Sequence, residues 1–222
     1  MTSSASTKRV VELLQRFQPN DEFEMRVGTL HPTDGLTVSC ANLEQLDEEL
    51  RRSPSFKSST WNESHVYYFH HNGREFRTTY STDSNELQSS ASTMCKTRKG
   101  VVDIPLGNSW SIRASLCSEE PVADNKLPPL ATPHHVRIRQ RASHVYRGKH
   151  CVVCYDLTRV WSGPTHIKTM ELQAAREDPV CAVEIELVER MAGASDANVV
   201  DKMLGYTGHI PQQLGHIVRN MQ

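Results

Sequence analysis

Acidic and basic side chains occur at every second position in several segments of this 222-residue chain. Near the N-terminus Glu22, Glu24 and Arg26 alternate with apolar residues. Near the C-terminus Glu184 and Glu186 alternate with apolar residues in the same way. Because successive side chains of a β-strand point to opposite faces, each run would place its charges on one face. The spacing predicts two strands with one acidic face and one apolar face each.

Three further segments show the same alternation with other polar residues. They contribute Arg137, Arg139 and Arg141 from one segment, Arg113, Ser115, Cys117 and Glu119 from the second, and Asp156 and Thr158 from the third. A single such strand is most simply an amphipathic strand with a solvated outer face. Across five strands that interpretation weakens, because like charges two apart or directly opposite one another repel. The segregation of acidic and basic residues onto different strands indicates that a cation binds among the carboxylates and a polyanion among the guanidinium groups.

These residue types define the chemistry that such a site could do. Carboxylate oxygens without Cys or His partners suit Mg²⁺ or Mn²⁺. Guanidinium groups bind phosphate through two parallel hydrogen bonds. If the charged faces point into a closed sheet of about eight strands, they line a polar lumen that can hold one small ligand. Buried ions cost several kcal/mol each unless they are compensated, so the lumen would be a binding site and not a stabilising core.

The composition excludes several other classes of protein. The formal net charge is −1, from 25 Lys and Arg against 26 Asp and Glu, which argues against a broadly basic nucleic-acid coat. No apolar run approaches the ~18 residues that a membrane helix needs. The N-terminal segment lacks the apolar region and cleavage site of a secretory signal. We therefore expect no membrane partner, and reduced thiols for the six cysteines.

Cysteine, histidine and aromatic residues offer weaker signals. Cys151 and Cys154 form a CxxC without the second pair that a zinc site needs, so we expect them to be structural residues in a strand. The histidine pairs at 70–71 and 134–135 lie beside turns, and we assign them no ligand role. For the aromatic residues at 67–69, packing within a hairpin is expected rather than an RNA-stacking surface.

The elements that must position these residues follow from periodicity. Apolar residues at helical spacing predict helices over 7–17 and 42–52, and the last twenty or so residues read as short helices broken at Gly205, Gly208 and Pro211. Between them the period is two, including a hairpin candidate that turns at Asn72 and Gly73. The pattern predicts one mainly β domain with helices at its ends.

Four motifs follow one another in a fixed order: EFEMRVG, RIRQRAS, YDLTRVW and VEIEL. From about residue 21 to residue 189 the sequence thereby resembles the triphosphate tunnel metalloenzyme superfamily, specifically the metal-dependent RNA 5′-triphosphatases of fungal and protozoan mRNA capping. The resemblance implies a closed eight-stranded antiparallel β-barrel with flanking helices. It also implies one domain over 1–222, with a helical brace at 6–18, tunnel strands at about 21–189 and C-terminal helices at about 196–222.

The resemblance implies roles for the charged residues. Glu22, Glu24 and Glu186 match the residues that bind Mg²⁺ or Mn²⁺ in the family. The substrate phosphates would be bound by Arg77, Arg113, Arg139 and Arg141. Glu119 matches a glutamate that orients the attacking water, and it is predicted to be catalytic together with Arg77, Arg139 and Arg141. For an added tunnel charge, Lys96 and Arg98 are equal candidates.

Supporting residues match the pattern less completely. Asp156, Thr158 and Glu184 fall on positions that support the arginines. Cys154 stands where the fungal pattern tends to have arginine, and Ala182 stands where it tends to have a third glutamate. We expect a substitute for the lost support at position 159, 168 or 176.

The implied activity is removal of the γ-phosphate of triphosphate-ended RNA, the first step of mRNA capping, with nucleoside triphosphates as further substrates. The alternatives are another tunnel enzyme, such as an inorganic tripolyphosphatase or thiamine triphosphatase, and a non-catalytic anion-binding barrel. The implied partners are 5′-triphosphate RNA, bound at its phosphate end without sequence specificity, and an RNA guanylyltransferase. Nuclear localisation follows only from the capping role, and a cytoplasmic setting stays open.

Overall fold

The computed structural model describes residues 4–32, 35–71, 73–81, 92–122, 133–163 and 178–214. Within these ranges the chain forms ten β-strands and three α-helices. In chain order they are α1 (Ser4–Leu14), β1 (Asp21–His31), β2 (Gly35–Thr37), α2 (Cys40–Arg52), β3 (Phe56–Ser58), β4 (Asn62–His71), β5 (Arg74–Ser81), β6 (Ser92–Gly107), β7 (Trp110–Pro121), β8 (His135–Arg147), β9 (Cys151–Gly163), β10 (Val180–Arg190) and α3 (Asp196–Gln213).

Eight of the strands form a closed antiparallel barrel. Their order is β1–β7–β6–β5–β4–β8–β9–β10, and β10 pairs again with β1 to complete the ring. The short strands β2 and β3 lie outside the ring, where β2 pairs with β1 and β3 with β8. Closure removes the exposed edges that an open sheet would present. The predicted mainly β fold with a closed eight-stranded barrel is confirmed.

The hydrophobic core lies outside the barrel, between its outer face and the three helices. On β1 the apolar residues Phe23, Met25 and Val27 are fully buried, while the alternating charged residues face inward. The helices contribute Val10, Leu13 and Leu14 from α1, Leu43, Leu46 and Leu50 from α2, and Val199, Val200, Met203 and Leu204 from α3. The helices therefore cover the apolar outer face, which leaves the inner face free for polar residues.

Local signals define the helix ends. The Ser39 side chain accepts a hydrogen bond from the Asn42 backbone N–H at 3.1 Å, which caps α2. The helix therefore begins slightly before the predicted range of 42–52. In the β4–β5 hairpin, Gly73 adopts φ +73°, as the predicted turn requires. Asn72 lies outside the described residues.

The prediction of short, broken C-terminal helices is wrong for the described part of that segment. A single helix, α3, runs from Asp196 to Gln213 and contains Gly205, Gly208 and Pro211. Its buried face, including Val199 and Met203, packs on the barrel and in the core. That packing outweighs the cost of about 1 kcal/mol for each interior glycine. Residues 215–222 of the predicted segment lie outside the described residues, and the single domain over 1–222 stays a prediction.

Among the described residues, no helix combines the length and apolar character needed to cross a membrane.

The position of the core predicts which substitutions destabilise the protein. Leu46 of α2 is fully buried between the helix and the barrel, so we expect Leu46→Ala to lower the free energy of unfolding by about 2–5 kcal/mol. Leu30 is 68% exposed, and Leu30→Ala should change the same quantity by about 0.5 kcal/mol or less. Urea denaturation measures both values. Equal effects would contradict a core outside the barrel.

Candidate active site

The inner face of the barrel encloses two adjoining cavities of about 230 and 370 Å³. Both are lined mainly by charged and polar side chains. The residues that line both are Glu24, Arg26, Tyr68, Arg77, Lys96 and Arg137. The smaller cavity is lined in addition by Arg139, Arg141 and Glu184, and the larger by Arg98 and Arg113. The interior is therefore a polar lumen, as the segregation of charges in the sequence indicates.

The predicted metal-binding carboxylates lie at the seam where the barrel closes. Glu24 of β1 stands directly opposite Glu186 of β10, and Glu22 lies two residues before Glu24 on the same face. The Ser115 hydroxyl donates a hydrogen bond to Glu24 Oε1 at 2.9 Å. Glu22 forms an ion pair with Lys96. The pairing of β1 with β10 thus brings together carboxylates more than 160 residues apart in the sequence.

Two of these carboxylates are incompletely neutralised. Burial raises the pKa of Glu186 to about 7, and the neighbouring carboxylates of Glu22 and Asp156 contribute to the rise. Burial also raises the pKa of Glu24 above its ordinary range, with Glu184 as the next cause. A raised carboxyl pKa means that the charged form lacks a sufficient cation nearby. The seam therefore has room for added positive charge.

Glu184, unlike Glu24 and Glu186, lies beside two arginines that neutralise its charge. It forms ion pairs with Arg26 and, at 3.4 Å, with Arg141. Burial alone would raise the pKa of Glu184, but the two arginines outweigh burial and hold this pKa well below its ordinary range. This carboxylate is compensated and fixes the arginines beside it. Its position agrees with the predicted supporting role.

Asp156 holds Arg141 in place from the next strand. Arg141 Nη1 donates to Asp156 Oδ2 at 2.6 Å, and the Ser143 hydroxyl donates to Oδ1 at 2.5 Å. The Cys154 thiol donates to the same Oδ1 at 3.4 Å, and burial followed by Asp156 raises the pKa of this thiol to about 12. Cys154 is thus a neutral donor at a position where the fungal pattern has a cation.

Arg139 is a buried cation of the lumen that forms no ion pair among the described residues. Its Nε donates to the Ser64 hydroxyl at 3.2 Å, and no carboxylate of the described residues forms an ion pair with it. Burial lowers the pKa of Arg139 to about 10, with Arg141 and Arg77 as further causes. Arginine normally stays charged under all conditions, so this lowering marks a guanidinium that lacks an anion. The basic side of the lumen has room for added negative charge.

The two remaining predicted catalytic residues, Arg77 and Glu119, form an ion pair with each other. Lys96 Nζ lies 3.5 Å from Glu119 Oε1 and also contacts Glu22, so it joins this pair to the acidic seam. Lys96 lines both cavities, whereas Arg98 lines only the larger one. Of the two candidates for an added tunnel charge, Lys96 is therefore the one placed among the predicted site residues.

Arg113 does not share a cavity with Arg139 and Arg141, two of the other predicted phosphate-binding residues. It lines the larger cavity but not the smaller one, and it forms a bidentate ion pair with Asp103 at 2.7 and 3.0 Å. The hydrogen bond that Arg113 donates to Asp103 raises the pKa of this guanidinium. A phosphate held by Arg139 and Arg141 would therefore not be the group that Arg113 contacts.

Thr158 and Ala182 show the consequence of the missing third glutamate. The two residues stand opposite each other on β9 and β10, and both line the smaller cavity. The buried Thr158 hydroxyl has no hydrogen-bond partner among the described residues. The expected substitute at position 159 is wrong, because Arg159 pairs with Glu44 at 2.8 Å and packs on the Trp61 ring. Positions 168 and 176 lie outside the described residues.

Two residues that line the lumen, Tyr68 and Arg137, were not assigned a functional role from the sequence. The expectation of hairpin packing is wrong for Tyr68, which lines both cavities. The guanidinium carbon of Arg137 lies 4.9 Å from the Tyr68 ring centre, and Arg137 Nη1 donates to the Tyr68 hydroxyl at 3.3 Å. Arg137 shares its strand face with Arg139, as the period-two spacing predicts, but the sequence assigned it no specific role. Tyr67, by contrast, packs on Tyr80 and fulfils the expectation.

The CxxC residues lie in β9, as predicted. Cys151 is fully buried in the core outside the barrel, and Cys154 contacts Asp156 on the lumenal side. Residues three apart in a strand point to opposite faces, so these two thiols do not converge on one ion.

Comparison with solved structures identifies the fold. The S. pombe Pct1 RNA triphosphatase is 15% identical, and the match covers 97% of this chain and 88% of that chain with a TM-score of 0.60. The Mimivirus capping enzyme triphosphatase is 18% identical, with 95% and 99% covered and a TM-score of 0.61. No family model and no curated protein sequence matches the chain. The likeness confirms the predicted fold, a closed eight-stranded antiparallel barrel with flanking helices.

The carboxyl pKa values predict how the stability of the metal-free protein depends on pH. Glu186 has a pKa of about 7 when folded and an ordinary value of 4.5, so the folded state binds more protons between these limits. The free energy of unfolding should therefore fall as pH rises through this window. Glu186→Gln should remove part of this fall and raise the melting temperature at pH 8 by a few degrees. Thermal melts of both proteins from pH 5 to pH 8 measure the difference, and superimposable pH profiles would contradict the assignment.

Proposed function

We propose that this chain, which has the triphosphate tunnel fold, is a metal-dependent phosphohydrolase that removes the γ-phosphate from triphosphate-ended RNA. One observation carries the proposal: among the described residues, neither Glu24 and Glu186 at the seam nor Arg139 in the lumen forms an ion pair. A divalent cation bound to a polyphosphate supplies both missing charges at once. Neither ion alone would do so.

The donors at the seam fit Mg²⁺ or Mn²⁺. They are carboxylate oxygens only, from Glu22, Glu24 and Glu186, and hard divalent cations prefer such ligands. A bound ion would neutralise charge on a phosphate oxygen and polarise the phosphorus. A non-catalytic anion-binding barrel is a poorer explanation, because uncompensated carboxylates would repel its ligand.

The arginines would bind and orient the phosphate. Arg139 and Arg141 would donate to its non-bridging oxygens, and Asp156 and Glu184 hold Arg141 in the required orientation. Phosphoryl transfer depends mainly on such positioning and on charge stabilisation. Fixed donors of this kind reduce the barrier because they need no reorganisation during the reaction.

Glu119 is the proposed base of the reaction. Its carboxylate faces the lumen between Arg77 and Lys96, and Oε1 would accept the proton of the attacking water. A phosphate bound by Arg77 would compete with Glu119 for this guanidinium. Substrate binding would thus free the carboxylate that the reaction needs.

The fold and the position of Tyr68 support the proposed substrate class. The two structures that resemble this chain are RNA triphosphatases, and one of them belongs to an mRNA capping enzyme. Tyr68 offers an aromatic ring next to the phosphate-binding arginines, which a nucleoside uses and an inorganic polyphosphate does not. We propose triphosphate RNA as substrate, with nucleoside triphosphates in the same class and inorganic tripolyphosphate or thiamine triphosphate as alternatives.

The biological setting is part of the proposal. A γ-phosphatase acting on RNA ends leaves a 5′-diphosphate, which an RNA guanylyltransferase would accept in mRNA capping. Such a role would place the protein in the nucleus, or in the cytoplasm if capping occurs there. The S. pombe relative has been crystallised with the Spt5 CTD, a property of that protein.

The metal assignment predicts the effect of a single isosteric change. Glu186→Gln removes one proposed ligand charge, so divalent-dependent phosphate release from triphosphate RNA should fall at least about 100-fold. Glu189→Gln is the matched control on the same strand, because Glu189 is exposed and pairs with Arg147 outside the site. Release of ³²P from γ-labelled RNA measures both rates. Unchanged turnover in Glu186→Gln would refute the metal assignment.

The substrate assignment predicts a selective effect at Tyr68. Because base stacking on an aromatic ring contributes about 1–3 kcal/mol, Tyr68→Ala should raise KM for triphosphate RNA and ATP roughly tenfold. The KM for inorganic tripolyphosphate should not change. Tyr67→Ala, which alters packing on Tyr80 instead, serves as the control. Equal losses on all substrates, or a wild-type preference for tripolyphosphate, would favour the inorganic alternative.

A further inference from the structure

A second group of potential metal ligands lies at the edge of the lumen, at the end of the β4–β5 hairpin. It consists of His70, Glu75 and His134, here called the rim cluster, and all three residues are exposed. One ligand atom from each residue lies within 4.8 Å of the ligand atoms of the other two. Sequence spacing does not group these residues, because His134 is 64 residues from His70 and approaches it only through strand pairing in the barrel.

Backbone pairing sets the positions of the rim cluster. His70 of β4 and Glu75 of β5 are direct partners across the hairpin. The His134 backbone N–H donates to the Tyr68 carbonyl at 2.9 Å, which fixes His134 beside β4. The rings of His70 and His134 stack with their centres 4.2 Å apart and their planes at 14°. Three separate elements thus present their donors to one point without help from an ion.

The charge of Glu75 is uncompensated within the described residues. No Lys or Arg side chain among them forms an ion pair with Glu75, and the adjacent Arg74 instead pairs with Glu120 at 2.8 Å. A carboxylate next to two imidazole rings forms a donor set for a metal ion. The bound ion would neutralise the negative charge of the carboxylate.

We propose that the rim cluster binds a divalent transition metal of the zinc class. Two imidazole nitrogens and one carboxylate oxygen, with water in the fourth position, form a tetrahedral Zn²⁺ site with bonds of about 2.0–2.2 Å. In such a site the ligand atoms lie about 3.3 Å from one another. The ligand atoms of the rim cluster, now within 4.8 Å of one another, would have to approach by up to about 1.5 Å through rotamer changes of the exposed side chains. Mg²⁺ and Mn²⁺ favour oxygen ligands, and the rim cluster therefore differs in metal preference from the carboxylates of the seam.

A bound ion would tie the β4–β5 hairpin to the start of β8. Glu75 and Phe76 line the larger cavity, so this tie lies at the edge of the lumen. Binding to the folded state alone also raises stability through linkage. The rim cluster would act as a metal clip on the barrel, independently of whether the lumen hydrolyses phosphate.

The test is calorimetric titration of Zn²⁺ into the full chain at pH 7.5 with excess Mg²⁺ present to compete at the seam. Wild type should bind one Zn²⁺ more than His70→Ala or His134→Ala, and Glu75→Gln should weaken that site at least tenfold. His209→Ala changes an exposed histidine of α3 and should bind as wild type does. Zinc bound by cysteines would be present in every variant. The difference in zinc stoichiometry between wild type and the histidine variants therefore measures binding at the rim cluster alone.

A second readout uses Co²⁺ in place of Zn²⁺. Tetrahedral coordination by the rim cluster should give a visible absorption band that the His70→Ala protein lacks. Binding should weaken as the solution is made acidic, because imidazole must be neutral to bind a metal. Equal zinc stoichiometry in wild type and both histidine variants would overturn the proposal, as would full affinity in Glu75→Gln.

Discussion

Charge that is buried without full compensation is the constraint on which the structure depends. Burial raises the pKa of Glu24 and Glu186 and lowers that of Arg139, so both signs of charge are under-compensated in one lumen. Such an interior cannot act as the stabilising core of the barrel. Stability must come from the opposite face of the same strands, where α1, α2 and α3 cover the apolar side chains. The helices are therefore as necessary to the site as the strands that carry it.

Compensated and uncompensated charges have different places in the lumen. Glu184 and Asp156 are used to hold Arg26 and Arg141, which fixes the geometry before any ligand arrives. Glu186 and Arg139 form no ion pair among the described residues and are therefore available to a ligand. Under the proposed function, this division explains how a chain with a net charge of −1 would bind a highly charged substrate. The total charge is balanced, and its arrangement creates the site.

Period-two spacing was enough to predict the strands, their two faces and the charged lumen, and the order of the motifs predicted the closed barrel. Features that depend on which strands become neighbours could not be predicted from the sequence. The choice of Lys96 over Arg98, the lumenal position of Tyr68 and the grouping of His70 with His134 all arise from pairings between distant segments. The long helix α3 was missed because its glycines were weighed without the packing that overrides them.

The central claim is that cation and polyphosphate complete the lumen together, and reciprocal binding tests it most directly. Calorimetry would measure the affinity for Mn²⁺ with and without a non-hydrolysable ATP analogue, the β,γ-imido compound. Because each ligand supplies the charge that the other requires, the analogue should tighten Mn²⁺ binding about tenfold beyond what their complex in solution explains. Equal Mn²⁺ affinity in the presence and absence of the analogue would contradict the account.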